Sequence, residues 1–408
     1  MNNSVFSQNN GRYGYRVLGE GVYVSNDTRS THLNNNDLII GKSGASKSGS
    51  IVDPNLKLVN DSSVILTDTK RLFHRRFRER FEAKGYRVVV LDFVDTEKGC
   101  GYNPLAYIRR DPKGHYNEQD IGTVAGCIVP SMDLNEPIWE SSARLYLQLF
   151  ISYCLDACPG DRHDMITVSD IYHRFISGSP EILEWIVDHP DSFTAMKYAE
   201  IKANREADKM VASIYGFLNV AMSPFCMEQA KTLFRNDNMI DIASIGREKT
   251  ILFLNVSDMD RTWDNLINLF YSQAFSILVR QADDNPDGMS EIPVRFIMDD
   301  FASNAVIPDF DKIISVIRSR DIYVTLIIQS KTQLNTMYGP DTATSIINNC
   351  DHIVYMGAND LGTADFIAVW ANTSPEKVLA MEVYKSYLIE GGQRARLIEK
   401  IPPYSFEC

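Results

Sequence analysis

The sequence lacks the marks of several protein classes. It holds no run of about 18 consecutive apolar residues, so no transmembrane helix is expected in this chain. Its longest apolar stretch, Leu145 to Leu155, is broken by Gln148 and Ser152. The polar opening MNNSVFSQNNGRYGY shows no signal peptide, so a cytoplasmic location is expected. No CxxC pair occurs among the seven cysteines, Cys100, Cys127, Cys154, Cys158, Cys226, Cys350 and Cys408. Their odd number and scattered spacing point to neither a zinc ribbon nor a disulfide framework. They read as buried thiols of a reducing compartment. Positive charge is also short: 41 Lys and Arg against 53 Asp and Glu leave a net charge of -12. A protein that coats DNA over its whole surface would be basic. Any nucleic acid is therefore expected at a local basic patch or a pore lining. Internal repeats and low-complexity tracts do not stand out.

What remains is an ordinary globular composition, 44% hydrophobic and 23% charged over 408 residues, long enough for two or three domains. Residues 1–36 form an N-terminal extension rich in Asn, Gly and Ser, with one short strand at Gly21–Ser25. From 37 to 114 apolar strands alternate with a helix: Asp37–Ile40, Ser63–Thr67, a cationic helix over about 70–84, and Arg87–Asp92. Such alternation predicts an α/β domain with a mainly parallel sheet covered by helices. From 115 to 240 the strand-like runs vanish. Helical periodicity takes over at Ser141–Ala157, Val168–Ile176, Pro180–Asp188 and Phe193–Phe217, which predicts an inserted all-helical domain. Over 241–408 the alternation returns. Strands are expected at Thr250–Val256, Val294–Met298, Tyr323–Ile328 and His352–Met356, and helices at Thr262–Gln281 and Phe310–Arg320. Two last strands, Tyr384–Glu390 and Ala395–Glu399, flank the Gly391-Gly392 turn as a hairpin.

Two motifs carry chemistry. Gly41-Lys42-Ser43-Gly44-Ala45-Ser46-Lys47-Ser48 follows a strand and fits the phosphate-loop pattern GxxxxGK[ST], save at one position. In that pattern backbone N–H groups wrap the phosphates, the Lys reaches the β/γ oxygens, and the Ser/Thr hydroxyl binds Mg²⁺. Lys47 and Ser48 fill the last two roles. Ser46 stands where the pattern has Gly, and is expected to crowd the phosphates or to strain a positive φ. The second motif is Val294–Met298 followed by Asp299 and Asp300, an apolar strand ending in two carboxylates. Beside a phosphate loop, Asp299 would hold Mg²⁺ through water and Asp300 would orient the attacking water as general base. The bland alternatives are a Gly/Ser/Lys-rich surface loop and a solvated strand end.

Further segments, in order along the chain, resemble the TraG-type coupling ATPases of conjugation and type IV secretion. They are Asp53-Pro54-Asn55-Leu56, Ser63 to Lys70, Tyr102-Asn103-Pro104-Leu105, Trp139-Glu140 and Asp299-Asp300-Phe301-Ala302. Ile307-Pro308-Asp309-Phe310, Arg318-Ser319-Arg320, Gln329 with Gln333-Leu334 and Tyr338, Asn349-Cys350-Asp351 and Met356-Gly357 continue the series. The resemblance implies a RecA-like P-loop NTPase core with an all-helical domain, ATP and Mg²⁺ as ligands, and a ring hexamer that drives DNA through a central channel. It also implies that Gln329 senses the γ-phosphate and that Arg318 serves a neighbouring subunit's site. A relaxase, or other secreted substrate, and type IV secretion channel components would be partners at the cytoplasmic face of the membrane. Ser46 and Asp300, where the family has Gly and Glu, keep open an adaptor that binds nucleotide without turnover. Another RecA-like motor, for chromosome partition or packaging, is the third reading, and the Tyr102–Leu105 segment speaks against it.

The densest basic run, Lys70 to Phe81, places Phe73, Phe77 and Phe81 on one helical face and Arg71, Arg75 and Arg78 on another. It reads first as a solvated outer helix, and secondly as a phosphate-contacting stripe.

Overall fold

The computed structural model describes residues 12–130, 138–203, 208–301 and 306–407. Residues 1–11, Ala302 and Cys408 lie outside the described residues. The chain divides into two compact units, Met1–Val90 with Asp241–Met259 and Ala274–Cys408, and Leu91–Ile240 with Asp260–Gln273.

The first unit carries a two-stranded hairpin, β1 (Tyr15–Gly19) and β2 (Val22–Ser25), and the strands of one large sheet. The sheet strands are β3 (Asp37–Ile40), β4 (Ser63–Asp68), β5 (Arg87–Asp92), β6 (Thr250–Asn255), β7 (Val294–Met298), β8 (Ile322–Ile328), β9 (His352–Tyr355), β10 (Lys385–Glu390) and β11 (Arg396–Glu399). Their spatial order is β11-β10-β9-β3-β8-β7-β4-β6-β5. From β9 through β6 each neighbouring pair is parallel, and β10 and β11 add an antiparallel edge. This is the mainly parallel α/β core that the alternation predicts. Its central strands are buried on both faces, which explains their near-continuous apolar runs, such as the fully buried IYVTLII of β8.

Local chemistry shifts several boundaries. The cationic helix starts at Phe73 rather than near 70. The Asp68 carboxylate accepts from the amides of Leu72 (3.2 Å), Phe73 (2.8 Å) and His74 (3.3 Å) and so caps the helix there. Phe73, Phe77 and Phe81 form its buried face. The helix after β7 is α-helical over Phe310–Val316 and tightens to a 3-10 turn over Ile317–Arg320. The Gly391-Gly392 hairpin forms as β10 and β11. The strand β1, which the sequence reading did not contain, completes the small hairpin with β2. Asn55 holds it: its side chain accepts from the Val17 amide at 2.9 Å and donates to the Val17 carbonyl at 2.8 Å.

The second unit is mainly helical, with helices Glu118–Ile128, Ile138–Ala157, Met165–Ile176, Glu181–Asp188, Phe193–Ala203 and Asp208–Met222. The expected insert, 115–240, lies wholly within it, and the unit also takes in 91–114 and 260–273. Tyr102 to Leu105 has a structural role there. The Tyr102 hydroxyl donates to Gln273 at 2.5 Å, and the Gln273 amide returns to the Pro104 carbonyl at 2.9 Å. The expectation of buried thiols needs a correction. Cys100, Cys127, Cys154 and Cys350 are buried, but Cys158 is partly covered and Cys226 is exposed. Cys226 ends a short 3-10 turn, Ser223–Cys226, which buries only its Phe225.

Candidate functional site

Parallel register brings three strand ends to one edge of the sheet. Ile40 of β3 pairs with Ile328 of β8, and Leu326 of β8 pairs with Met298 of β7. The residues that follow, Gly41, Gln329 and Asp299, therefore leave the sheet on the same side, where open α/β sheets bind ligands. The acid-ending strand β7 is not the neighbour of β3, because β8 runs between them.

The loop after β3 is tied down at its base. The Gly41 amide donates to the Ile328 carbonyl at 3.0 Å and the Lys42 amide to the Gly357 carbonyl at 2.7 Å. A Cβ on Gly41 would lie 3.0 Å from the Ala45 Cβ and 3.1 Å from the Met356 Cβ, so a side chain there would have to push those neighbours aside. Gly44 has φ +79°, and Ser46 has φ +65°. Ser46 thus carries a side chain in the left-handed region, at about 1–2 kcal/mol. The following helix opens with a π-type turn, Ser48–Val52, and continues as Asp53–Leu58. Pro54 has no N–H to offer the next α-helical bond, and the Asp53 amide reaches back to the Ser48 carbonyl instead.

Lys47 is only 9% exposed, and its ammonium donates to the Gly41 carbonyl at 2.6 Å. Burial lowers its pKa and Lys70 adds to this, while Asp300 and Asp299 oppose. The Ser48 hydroxyl donates to Asp299 Oδ2 at 2.7 Å, which joins the two motifs directly. Burial pushes the Asp299 carboxyl up and Asp300 adds to the shift, while Ser48 and Lys47 pull it back. The chain reverses at Asp300, with φ +53°, and its amide donates to Asp299 Oδ1 at 3.1 Å. The amide of Gln329 donates to the Gln333 side chain at 3.2 Å.

These groups face a cavity of about 960 Å³, lined by Ser43 to Gly49 with Asp299, Asp300 and Gln329. That is the size of a nucleotide-scale site. Its chemistry suits a polyphosphate and a hard cation. Lys47 and Lys70 supply positive charge, the loop supplies backbone N–H groups, and Ser48 and Asp299 supply oxygen donors. Among the described residues no group of three or more His, Cys, Asp or Glu is placed to hold a metal. A cation here would depend on Ser48, Asp299 and the oxygens of a bound phosphate.

Arg318 is not among the residues lining this cavity; its guanidinium approaches the His32 carbonyl at 3.5 Å. The lining also includes Arg75, which the sequence reading placed on the candidate phosphate-contacting stripe, and Asp258, Arg76, Pro403 and Tyr404, which it did not single out for a site. Arg75 and Arg76 lay inside the basic run, but nothing in a charge run marks which arginine turns towards a phosphate loop. Asp258, Pro403 and Tyr404 had no local signal.

Other segments of the series serve packing. The Tyr338 hydroxyl accepts from the Ile307 amide at 3.2 Å, and its ring stacks on Phe301 at 5.7 Å. Asn34 and Asn36 bond the backbone of Asp351 (3.1 Å) and Asn349 (3.0 Å).

A model of the family described as "Type IV secretory system Conjugative DNA transfer" matches residues 3–369. Among solved structures, the plasmid coupling protein TrwB in complex with the non-hydrolysable ATP analogue ADPNP matches with a TM-score of 0.69 at 13% identity, covering 98% of this chain and 92% of that one. TrwB in complex with ADP and Mg²⁺ gives 0.63 at 13% identity, with 98% and 92% covered. VirB4 of Thermoanaerobacter pseudethanolicus gives 0.56 at 16% identity, with 97% and 98% covered. These likenesses show the fold. No curated protein matches the sequence.

Proposed function

Because the chain belongs to the type IV secretory system conjugative DNA-transfer family, we propose that it is an ATP-driven coupling protein. It would recruit relaxase-bound DNA and translocate it to a type IV secretion channel. The observation that carries this reading is the 2.7 Å bond between Ser48 and Asp299, two residues 251 positions apart in sequence, beside a buried Lys47. A triphosphate bound in the loop would exchange the Lys47 contact with the Gly41 carbonyl for contacts with its β/γ oxygens. Gly41, Gly44, Ala45 and Ser46 would shape the backbone around it. Ser48 and Asp299 would hold Mg²⁺, whose charge neutralises the phosphates. Asp300 would orient and deprotonate the attacking water, and Gln329 would contact the γ-phosphate. Arg318, exposed on its 3-10 turn, would be offered to the site of a neighbouring subunit in a hexamer, which makes turnover depend on assembly. TrwB, which shares the fold, has been solved with ADPNP and with ADP and Mg²⁺. The working division is 1–36 as extension, 37–114 with 241–408 as nucleotide-binding domain, and 115–240 as the all-helical domain that meets partners. Among the described residues no helix is long and apolar enough to cross a membrane. Action at the cytoplasmic face of the membrane, with channel components as partners, belongs to the same proposal.

Phosphate release measured with and without single- and double-stranded DNA tests this. DNA-stimulated release is expected, and Lys47→Ala or Asp299→Ala should abolish it while leaving the folded circular-dichroism spectrum intact. A second reading, a nucleotide-binding adaptor without turnover, is favoured by the left-handed Ser46 and by the short Asp300 carboxylate at a chain reversal. ATP binding with no phosphate release under any of these conditions would select it.

A further inference from the structure

We propose that Tyr404 is the platform on which the base of the bound nucleotide stacks, so that the C-terminal segment holds the nucleoside while residues 41–48 hold the phosphates. The inference rests on the nucleotide-site reading above and adds the residue that contacts the base.

Tyr404 lines the same cavity as Lys47 and Asp299, yet remains 50% exposed. It packs against Gly49, the residue that follows the phosphate loop. Its amide donates to the Gly49 carbonyl at 3.0 Å, and a Cβ on Gly49 would fall 3.0 Å from the Tyr404 ring and 3.0 Å from Pro403. Glycine at 49 is what lets the aromatic segment approach the start of the phosphate-loop helix. The ring is also braced. The Arg76 guanidinium lies 4.9 Å from its centroid and is itself fixed by an ion pair of 2.7 Å to Asp53, which is fully buried. Lys57, the other partner of Asp53 at 2.9 Å, donates at 2.7 Å to the Phe406 carbonyl and fastens the segment further on. The Tyr404 backbone is held at φ +61°, a costly conformation for an aromatic residue.

Apart from Phe73, Ala45 and the lip at Tyr404, this cavity is lined by charged and polar side chains and loop glycines, which a triphosphate and a cation would use. The lip formed by Tyr404, Pro403 and the 54% exposed Leu72 has no use in phosphate binding. A flat aromatic group at that distance from the loop does: a nucleobase presents a π-face to a tyrosine ring whatever its hydrogen-bonding edge. The cation behind the ring strengthens such a stack without selecting a base.

The test is equilibrium binding to the full chain with Mg²⁺, using two probes: the adenosine analogue ADPNP, and inorganic tripolyphosphate, which lacks base and sugar. Tyr404→Ala should raise the Kd for ADPNP about tenfold and leave that for tripolyphosphate within about twofold. Tyr404→Phe, which keeps the ring, should match the wild type on both. An unchanged ADPNP affinity in Tyr404→Ala overturns the inference. An equal loss for both probes also overturns it, since Tyr404 would then act on the loop through Gly49. If the wild type binds neither probe, the nucleotide-site reading falls and this inference with it, and the two failures are thereby told apart.

Discussion

Ser46 and Asp300 are the two residues at which the site departs from its family pattern, and both sit at positive φ, +65° and +53°. The coincidence has a physical content. Each position holds the left-handed conformation, which the Cβ of Ser46 resists, whereas an Asp such as Asp300 visits that region more readily. For Ser46 the strain can be removed. Ser46→Gly should relieve about 1–2 kcal/mol in the folded loop and lose about 0.5–1 kcal/mol through the greater freedom of the unfolded chain. A net gain of between about 0 and 1.5 kcal/mol follows. Urea unfolding of Ser46→Gly beside Ser46→Ala, which keeps the Cβ, checks this. A midpoint for Ser46→Gly below that of Ser46→Ala by the chain-entropy cost of glycine would show that the conformation at 46 costs nothing.

At the scale of elements, the helix Phe73–Ala83 shows what a sequence pattern can and cannot deliver. The i, i+4 spacing of Phe73, Phe77 and Phe81 was enough to name the buried face, and all three are buried, with ring centroids 6.1 and 6.3 Å apart along the stripe. Phe77→Ala should therefore cost about 3–5 kcal/mol, read as a lowered chemical-denaturation midpoint. A loss below about 1 kcal/mol would mean that the helix does not pack as described. The arginines on the other faces were not legible in the same way. Arg76 bridges to Asp53, Arg80 donates to the Lys57 carbonyl at 3.2 Å, and Arg78 pairs with Glu82 at 3.5 Å. Periodicity places a charge on a face and reaches the Arg78–Glu82 pair within the helix, but the partners of Arg76 and Arg80 belong to another element. The same limit explains β1, fastened by Asn55, 38 residues away, and through its Arg16 by Asp37, 21 residues away, and Tyr404, whose position depends on Gly49.

At the scale of the first unit, the sheet has two chemically distinct ends, and the one remote from the phosphate loop governs how stability responds to pH. Asp37 begins β3 and pairs in register with His352 of β9 and Thr325 of β8. Around it lie Arg16 of β1, with an oxygen of Asp37 at 2.9 Å, and Arg295 of β7 at 3.2 Å. Burial alone would raise the Asp37 carboxyl, but Arg16 and Arg295 outweigh it and hold it below its ordinary range. His352 is 1% exposed, and Arg16 donates to its Nδ1 at 3.0 Å, which requires a neutral ring there. Burial, reinforced by the two arginines and only partly opposed by Asp37, depresses its pKa to about 4. The unfolded chain takes up this proton near pH 6.5, and the folded chain resists it until about pH 4. Between those values the unfolded state binds more protons, so stability falls as pH falls, by up to about 3 kcal/mol, and levels off below the folded pKa. His352→Gln should flatten this part of a stability–pH profile recorded by urea unfolding between pH 7 and pH 4. The contribution from Asp37 begins lower, because its folded carboxyl stays ionised below the range in which the unfolded one titrates. A slope between pH 6.5 and pH 4 that survives His352→Gln would assign the acid sensitivity to other groups and leave this cluster a purely structural joint.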